Sequence, residues 1–170
     1  MSSKLNETSE TNGYEDKFTV FTDGSALNNK QDAPAGYAIY FPSYKKLISN
    51  GMRGTNNQAE LEAMRYALWY YLNRYINQDI PDNTLYIFSD SEYTINAVSG
   101  KNRVKANFPK IEVCKKLIEE IKKRRKIKFI HVIAHTNNKD FISVNNNIVD
   151  CAARNEALKI KNEIQRENEK

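Results

Sequence analysis

Four acidic residues stand at positions where an acid is either costly or conspicuous. Asp23 closes the alternating segment Lys17–Asp23, in which Phe18, Val20 and Thr22 share one face and Thr19, Phe21 and Asp23 the other. Asp90 follows the buried-looking run Leu85–Phe88 and Ser89. Glu60 falls in the first turn of a helical pattern, on the same stripe as Ala63, Met64 and Ala67. Glu62 falls beside Arg65 and Tyr66 instead and reads as surface. Asp150 repeats the Glu60 arrangement, sharing a helix face with Asn146, Ala153 and Ala157. Taken singly, the strand-end acids have ordinary uses, since Asp23-Gly24 is a turn pair and Asp90-Ser91 opens a helix well. An acid on a buried stripe is costly unless something pairs with it. Two inward acids from helices and two at strand ends therefore make a cluster that needs a cation.

The chemistry of such a cluster is specific. Close carboxylates repel one another unless neutralised, and hard oxygen ligands select Mg²⁺ or Mn²⁺ over zinc. Two such ions can activate a water and stabilise the leaving oxygen in phosphodiester hydrolysis. The charge distribution points the same way. The 170 residues hold 26 Lys and Arg against 21 Asp and Glu, a net charge of +5. The excess is concentrated: Lys101–Lys128 holds twelve basic and three acidic residues, while the first 17 residues hold two and four. A basic stripe on an otherwise balanced chain suggests a polyanionic partner. The alternative for Lys122–Lys126 is a solvated helix end favoured by the helix dipole. Cys114 and Cys151 are too few, and wrongly spaced, for a disulfide scaffold or a thiolate metal site. No apolar run is long enough to span a bilayer, and no charged-then-apolar leader opens the chain. The expectation is an intracellular protein, cytoplasmic or nuclear, with no membrane partner.

The elements that must position these acids follow from the patterning. Residues 1–16 are polar and read as a disordered tail. Strands are expected at Lys17–Asp23, Tyr37–Phe41 and Lys46–Met52, with loop chemistry from Gly24 to Pro34. Thr55 or Asn56 can cap a long helix, with apolar periodicity from Ala59 to Tyr75; Tyr70, Tyr71 and Tyr75 read as packing residues. Leu85–Phe88 is the fourth strand, and a short helix follows from Glu92 to Val98. Pro109 starts a helix to Lys123, and Ile127–Ala134 is the fifth strand. Residues 135–145 form a polar loop, and a charged helix runs from Asn146. The order gives an α/β domain over residues 17–160 with an antiparallel beginning and a parallel remainder, and a charged helix end or tail over 161–170. Ligands of open α/β sheets bind beyond the carboxyl ends of strands, where Asp23 and Asp90 fall.

Phe21-Thr-Asp-Gly-Ser25, Thr55-Asn-Asn-Gln-Ala-Glu-Leu61, Ser89-Asp-Ser-Glu-Tyr93, His135 and Asp150-Cys-Ala-Ala153 together resemble type 1 ribonuclease H. The resemblance covers roughly residues 17–160, with the motifs in family order. It implies a mixed five-stranded sheet, three antiparallel strands then two parallel, flanked by helices. It also implies cleavage of the RNA strand of RNA–DNA hybrids to 5′-phosphate and 3′-hydroxyl ends, by a monomer holding two Mg²⁺ ions, with Mn²⁺ as a possible substitute. Asp23, Glu60, Asp90 and Asp150 match the family's metal-binding carboxylates, Asp23 bridging both ions. His135 matches the mobile-loop histidine that aids proton transfer or product release, whereas His131 reads as packing. Asn56 and Asn57 match minor-groove contacts, and Arg53 and Thr55 a DNA-phosphate site; Ser25, Asn28 and Asn146 are further substrate candidates. For all of these, capping and turn formation is the alternative use. The basic protrusion of many members is shortened or missing here, since only Gly100–Pro109 fills the gap. Lys101, Arg103, Lys105 and the 122–126 cluster are then expected to supply salt-sensitive hybrid affinity. The stretch from His135 to Asp150 is longer than in typical members. Two other readings of the same residues are a nuclease of this fold acting on another nucleic acid and a catalytically silent nucleic-acid-binding module.

Overall fold

The computed structural model describes residues 13–101, 106–133 and 139–170. Five strands, β1 (Phe18–Ala26), β2 (Pro34–Phe41), β3 (Lys46–Arg53), β4 (Thr84–Ser89) and β5 (Lys126–His131), form one sheet in the order β3-β2-β1-β4-β5. The pairs β1–β2 and β2–β3 are antiparallel, while β1–β4 and β4–β5 are parallel. The helices are α1 (Asn56–Arg74), α2 (Glu92–Val98), α3 (Phe108–Lys122) and α4 (Phe141–Asn168).

Strand alternation splits the core into two layers. Phe18, Val20, Tyr37, Ile39, Leu85 and Ile87 pack with Leu61, Met64 and Leu68 of α1 and with Ile111, Ile118 and Ile121 of α3. Phe21, Ala38, Tyr86 and Phe88 pack on the other face with Val149 and Ala153 of α4. Tyr70, Tyr71 and Tyr75 are buried in the first layer, as their spacing predicts.

Four local readings are corrected. Gly24 lies inside β1, opposite Tyr37, so Asp23-Gly24 is strand rather than turn. The glycine serves close approach instead: a Cβ there would lie 2.3 Å from the main chain of Ala59 and Glu60. β5 stops at His131, whose side chain is exposed rather than packed. Helix α4 starts at Phe141, within the stretch read as loop, because the Asp140 side chain caps it by accepting the Ser143 amide at 2.8 Å. Glu62 is only 13 % exposed; it pairs with Arg65 on its own helix and with Lys110 of α3 at 2.9 Å, joining the two helices.

Candidate active site

The strand register places the first two acids. Thr22 of β1 lies opposite Ser89 of β4, so Asp23, still within β1, and Asp90, just past β4, stand at the same level on neighbouring parallel strands. α1 supplies the third. Its capping box is complete: Thr55 Oγ1 accepts the Gln58 amide at 3.1 Å, and Gln58 Oε1 accepts the Thr55 amide at 2.9 Å. Asn56 Oδ1 accepts the Ala26 amide at 2.7 Å, tying the helix start to the end of β1. With Gly24 admitting the helix backbone, Glu60 arrives beside Asp23. Ligand oxygens of Asp23, Glu60 and Asp90 lie within 4.8 Å of one another. Asp150 reaches the group from the α4 face, where Gly36 lets the helix approach as Gly24 does on the other face. It remains 20 % exposed, pairs with Arg154 at 3.2 Å and stands outside the tight trio.

The electrostatics describe a site strained by its own charge. Asp23 is 2 % exposed and Glu60 7 %. Burial pushes the Asp23 carboxyl up to about 8; its hydrogen bond with Glu60 pulls it down, and the charges of Asp90 and Asp150 push it up. Glu60 is raised well above the ordinary range, chiefly by burial and then by the charge of Asp23. Glu60 Oε2 is buried without a hydrogen-bond partner. An orphaned carboxylate oxygen among converging hard oxygen donors fits a divalent cation of the Mg²⁺ class, which would satisfy that oxygen and offset the repulsion.

The remaining residues singled out from the sequence surround this cluster unevenly. Thr55 is occupied by its capping role and Asn56 by Ala26, although Asn56 and Asn57 are both exposed. Arg53 is exposed and faces Asp32, Nη2 to Oδ2 at 2.9 Å. Ser25 is half-buried on β1; Asn28 is exposed, its Oδ1 accepting the Lys30 amide at 3.1 Å in the following loop. Asn146 is buried on α4, one turn before Asp150. Lys101 is exposed, whereas Arg103, Lys105 and His135 lie outside the described residues.

The 122–126 cluster sits elsewhere. Lys126 pairs with Thr84, at the opposite end of β4 from Asp90, about 20 Å away at the strand rise of roughly 3.3 Å per residue. Arg125 there donates to the carbonyls of Ile76 at 2.9 Å and Gln78 at 2.8 Å and to Asn83 Oδ1 at 2.9 Å, while Arg124 donates to Asn77 Oδ1 at 2.8 Å. These arginines staple the loop between α1 and β4. Sequence reasoning missed this use, and it missed the close approach at Gly24 and the contact of His131 with Asp90; the Gly between two candidate site residues was the available signal.

The RNase H family model matches residues 15–158. Ribonuclease H of Campylobacter concisus is 31% identical over 150 residues, covering 85% of this chain and 95% of its own. Ribonuclease H of Clostridium botulinum is 31% identical over 137 residues, covering 72% and 86%. Among solved structures, LC11-RNase H1, isolated from compost and crystallised with an RNA/DNA hybrid, matches with a TM-score of 0.63 at 25% identity, covering 85% of this chain and 99% of that one.

Proposed function

Since the chain belongs to the ribonuclease H family, type 1, we propose that it hydrolyses the RNA strand of RNA–DNA hybrids internally, acting as a monomer. The observation that carries this reading is the convergence of three carboxylates, two of them buried, where the parallel pairing of β1 with β4 ends at the carboxyl end of β4. No helix among the described residues is long and apolar enough to cross a membrane.

In this reading Asp23, Glu60, Asp90 and Asp150 hold two Mg²⁺ ions, with Mn²⁺ as the substitute. When bound, such ions supply Lewis acidity toward the phosphodiester and lower the pKa of water. Water adds to phosphorus, the bond from phosphorus to the 3′ oxygen breaks, and the products carry 5′-phosphate and 3′-hydroxyl ends. The water loses a proton and the departing 3′ oxygen gains one; His135 is the proposed aid to that transfer, its ordinary pKa lying near neutrality. Asn56 and Asn57 offer exposed amides at the start of α1, suited to the minor groove, where 2′-hydroxyls distinguish RNA from DNA. Arg53, with its planar fork, is the proposed contact to a phosphate of the DNA strand. Ser25, Asn28, Thr55 and Asn146 complete the proposed substrate-binding set, with Lys101, Arg103 and Lys105 as the basic contribution.

The test is cleavage of an end-labelled RNA–DNA hybrid in Mg²⁺, Mn²⁺ or EDTA, beside matched RNA and DNA duplexes. Internal RNA cuts confined to the hybrid and abolished by EDTA are the expected result. Cleavage of all three duplexes, or binding without cleavage, overturns the assignment in favour of another substrate or a binding module respectively.

A further inference from the structure

The turn that carries Asp90 is held from the edge strand by two consecutive residues, His131 and Val132, at the end of β5. At the end of the β4–β5 ladder Ser89 lies opposite His131. Beyond that pair the main chain makes one more bond, the Val132 N–H donating to the Ser89 carbonyl at 2.8 Å. A side chain then takes over: His131 Nε2–H donates to the Asp90 carbonyl at 3.1 Å. A carbonyl can only accept, so that ring nitrogen carries the hydrogen.

These two carbonyls have a geometric relation that matters for the site. The Ser89 carbonyl belongs to the peptide plane before Asp90, and the Asp90 carbonyl to the plane after it. Fixing both planes fixes φ and ψ at the Cα between them, and therefore the direction of its Cα–Cβ bond. The flanking turn is tied as well, with the Ser91 amide donating to Ser89 Oγ at 3.1 Å and Ser91 Oγ capping α2 by accepting the Thr94 amide at 3.1 Å. The peptide after Asp90 is thus held at both of its polar groups, its N–H (that of Ser91) by buried Ser89 Oγ and its carbonyl by the exposed His131 side chain.

We propose that His131 is a positioning residue: its imidazole continues the β4–β5 ladder by one bond and thereby aims the Asp90 carboxylate at Asp23 and Glu60. The inference rests on the metal-site reading above. An imidazole suits the task because a short, rigid ring can donate beyond a strand end without requiring another residue of main chain. It acts through the Asp90 backbone and touches neither substrate nor cation.

The test is Mn²⁺ binding to the full chain without nucleic acid, followed by calorimetry or by the electron paramagnetic resonance of free Mn²⁺. His131→Phe keeps the ring and removes the donor, and His131→Gln offers an amide N–H in its place. The Phe variant is expected to raise the Mn²⁺ Kd about tenfold, the low end for outer residues that orient ligands, with Gln within about threefold of wild type. In hybrid cleavage the Phe variant should need correspondingly more metal for half-maximal rate, while KM for the hybrid stays at the wild-type value. A Phe variant with wild-type Mn²⁺ affinity, or a Gln variant as impaired as Phe, overturns the role of His131 and leaves the metal site standing. A wild-type chain that binds no Mn²⁺ overturns the metal-site reading and this inference with it. If circular dichroism shows the Phe variant unfolded, His131→Ala takes its place in the same comparison.

Discussion

Replacing Asp23 by Asn removes a charge but almost no volume from the most buried part of the carboxylate cluster. In the metal-free protein that charge destabilises the fold. Burial and the neighbouring acids raise the Asp23 carboxyl from 3.8 to about 8, so the native state binds a proton that the unfolded chain releases. Stability conferred by such a group falls as pH rises from about 4, and levels off only above the native value near 8. At about 1.4 kcal/mol per pKa unit, the penalty at pH 7 has a ceiling of about 4 kcal/mol. The Asn amide can also donate to the orphaned Glu60 Oε2. Recovering half the ceiling, about 2 kcal/mol, raises Tm by about 4–8 °C for a chain of this size. Thermal unfolding in EDTA at several pH values is the assay. Asp23→Asn should melt higher than wild type at pH 7, with the gap closing toward pH 4. Added Mg²⁺ should stabilise wild type and leave the variant nearly unmoved, because the proposed cation site has lost one of its carboxylates. Hybrid binding should persist while cleavage is nearly abolished. A variant no more stable than wild type in EDTA at pH 7, with the same pH slope, refutes the argument that these acids strain the fold.

Three further outcomes are expected. Gly24→Ala places a methyl group 2.3 Å from the Ala59–Glu60 main chain, so α1 must move; a loss of about 1–3 kcal/mol in denaturant unfolding and a weaker Mg²⁺ response should accompany each other. Arg125→Ala removes the donor of the loop staple, whose hydrogen bonds to Ile76, Gln78 and Asn83 span 2.8 to 2.9 Å, and should cost about 1.5–3 kcal/mol of stability while leaving the salt dependence of hybrid binding unchanged. Neutralising Lys101, Arg103 and Lys105 together should weaken hybrid binding and flatten its salt dependence, by up to about 0.9 in log–log slope for each phosphate these side chains neutralise. Neutralising Lys122, Lys123 and Lys126 instead, at the far end of the sheet, should change that slope much less; the reverse ranking moves the binding surface.

Much of the architecture was legible because periodicity is a local property. Alternation along Phe18–Asp23 and the helical stripe Ala63, Met64, Ala67 encode which face is buried, and the observed layers follow them. The cap at Thr55 and the short helix Glu92–Val98 are equally local, since a cap needs only a side chain and an amide within one turn. Local signals failed where tertiary contacts outweighed them. Phe141–Asn147 is rich in weak helix formers, yet it is helical because Phe141 and Ile142 pack against the second core layer and the Asp140 cap satisfies the first turn. The basic run 122–126 looks like one surface in sequence, but Arg124 and Arg125 are spent on the loop between α1 and β4.

By itself the sequence determined the family and the order of the elements and singled out four candidate acids, because motif identity and hydrophobic period are written along the chain. Their distances from one another were decided only in three dimensions. Asp23 and Asp90 are level because Thr22 pairs with Ser89 across two strands far apart in sequence, as the hydrogen bond from Thr22 Oγ1 to the Phe88 carbonyl also reflects. Glu60 is close because a glycine lets a helix backbone approach a strand at a distance no side chain permits. His131 reaches Asp90 only because β5 ends level with β4, and a strand end is set by pairing with a remote segment rather than by the strand's own residues.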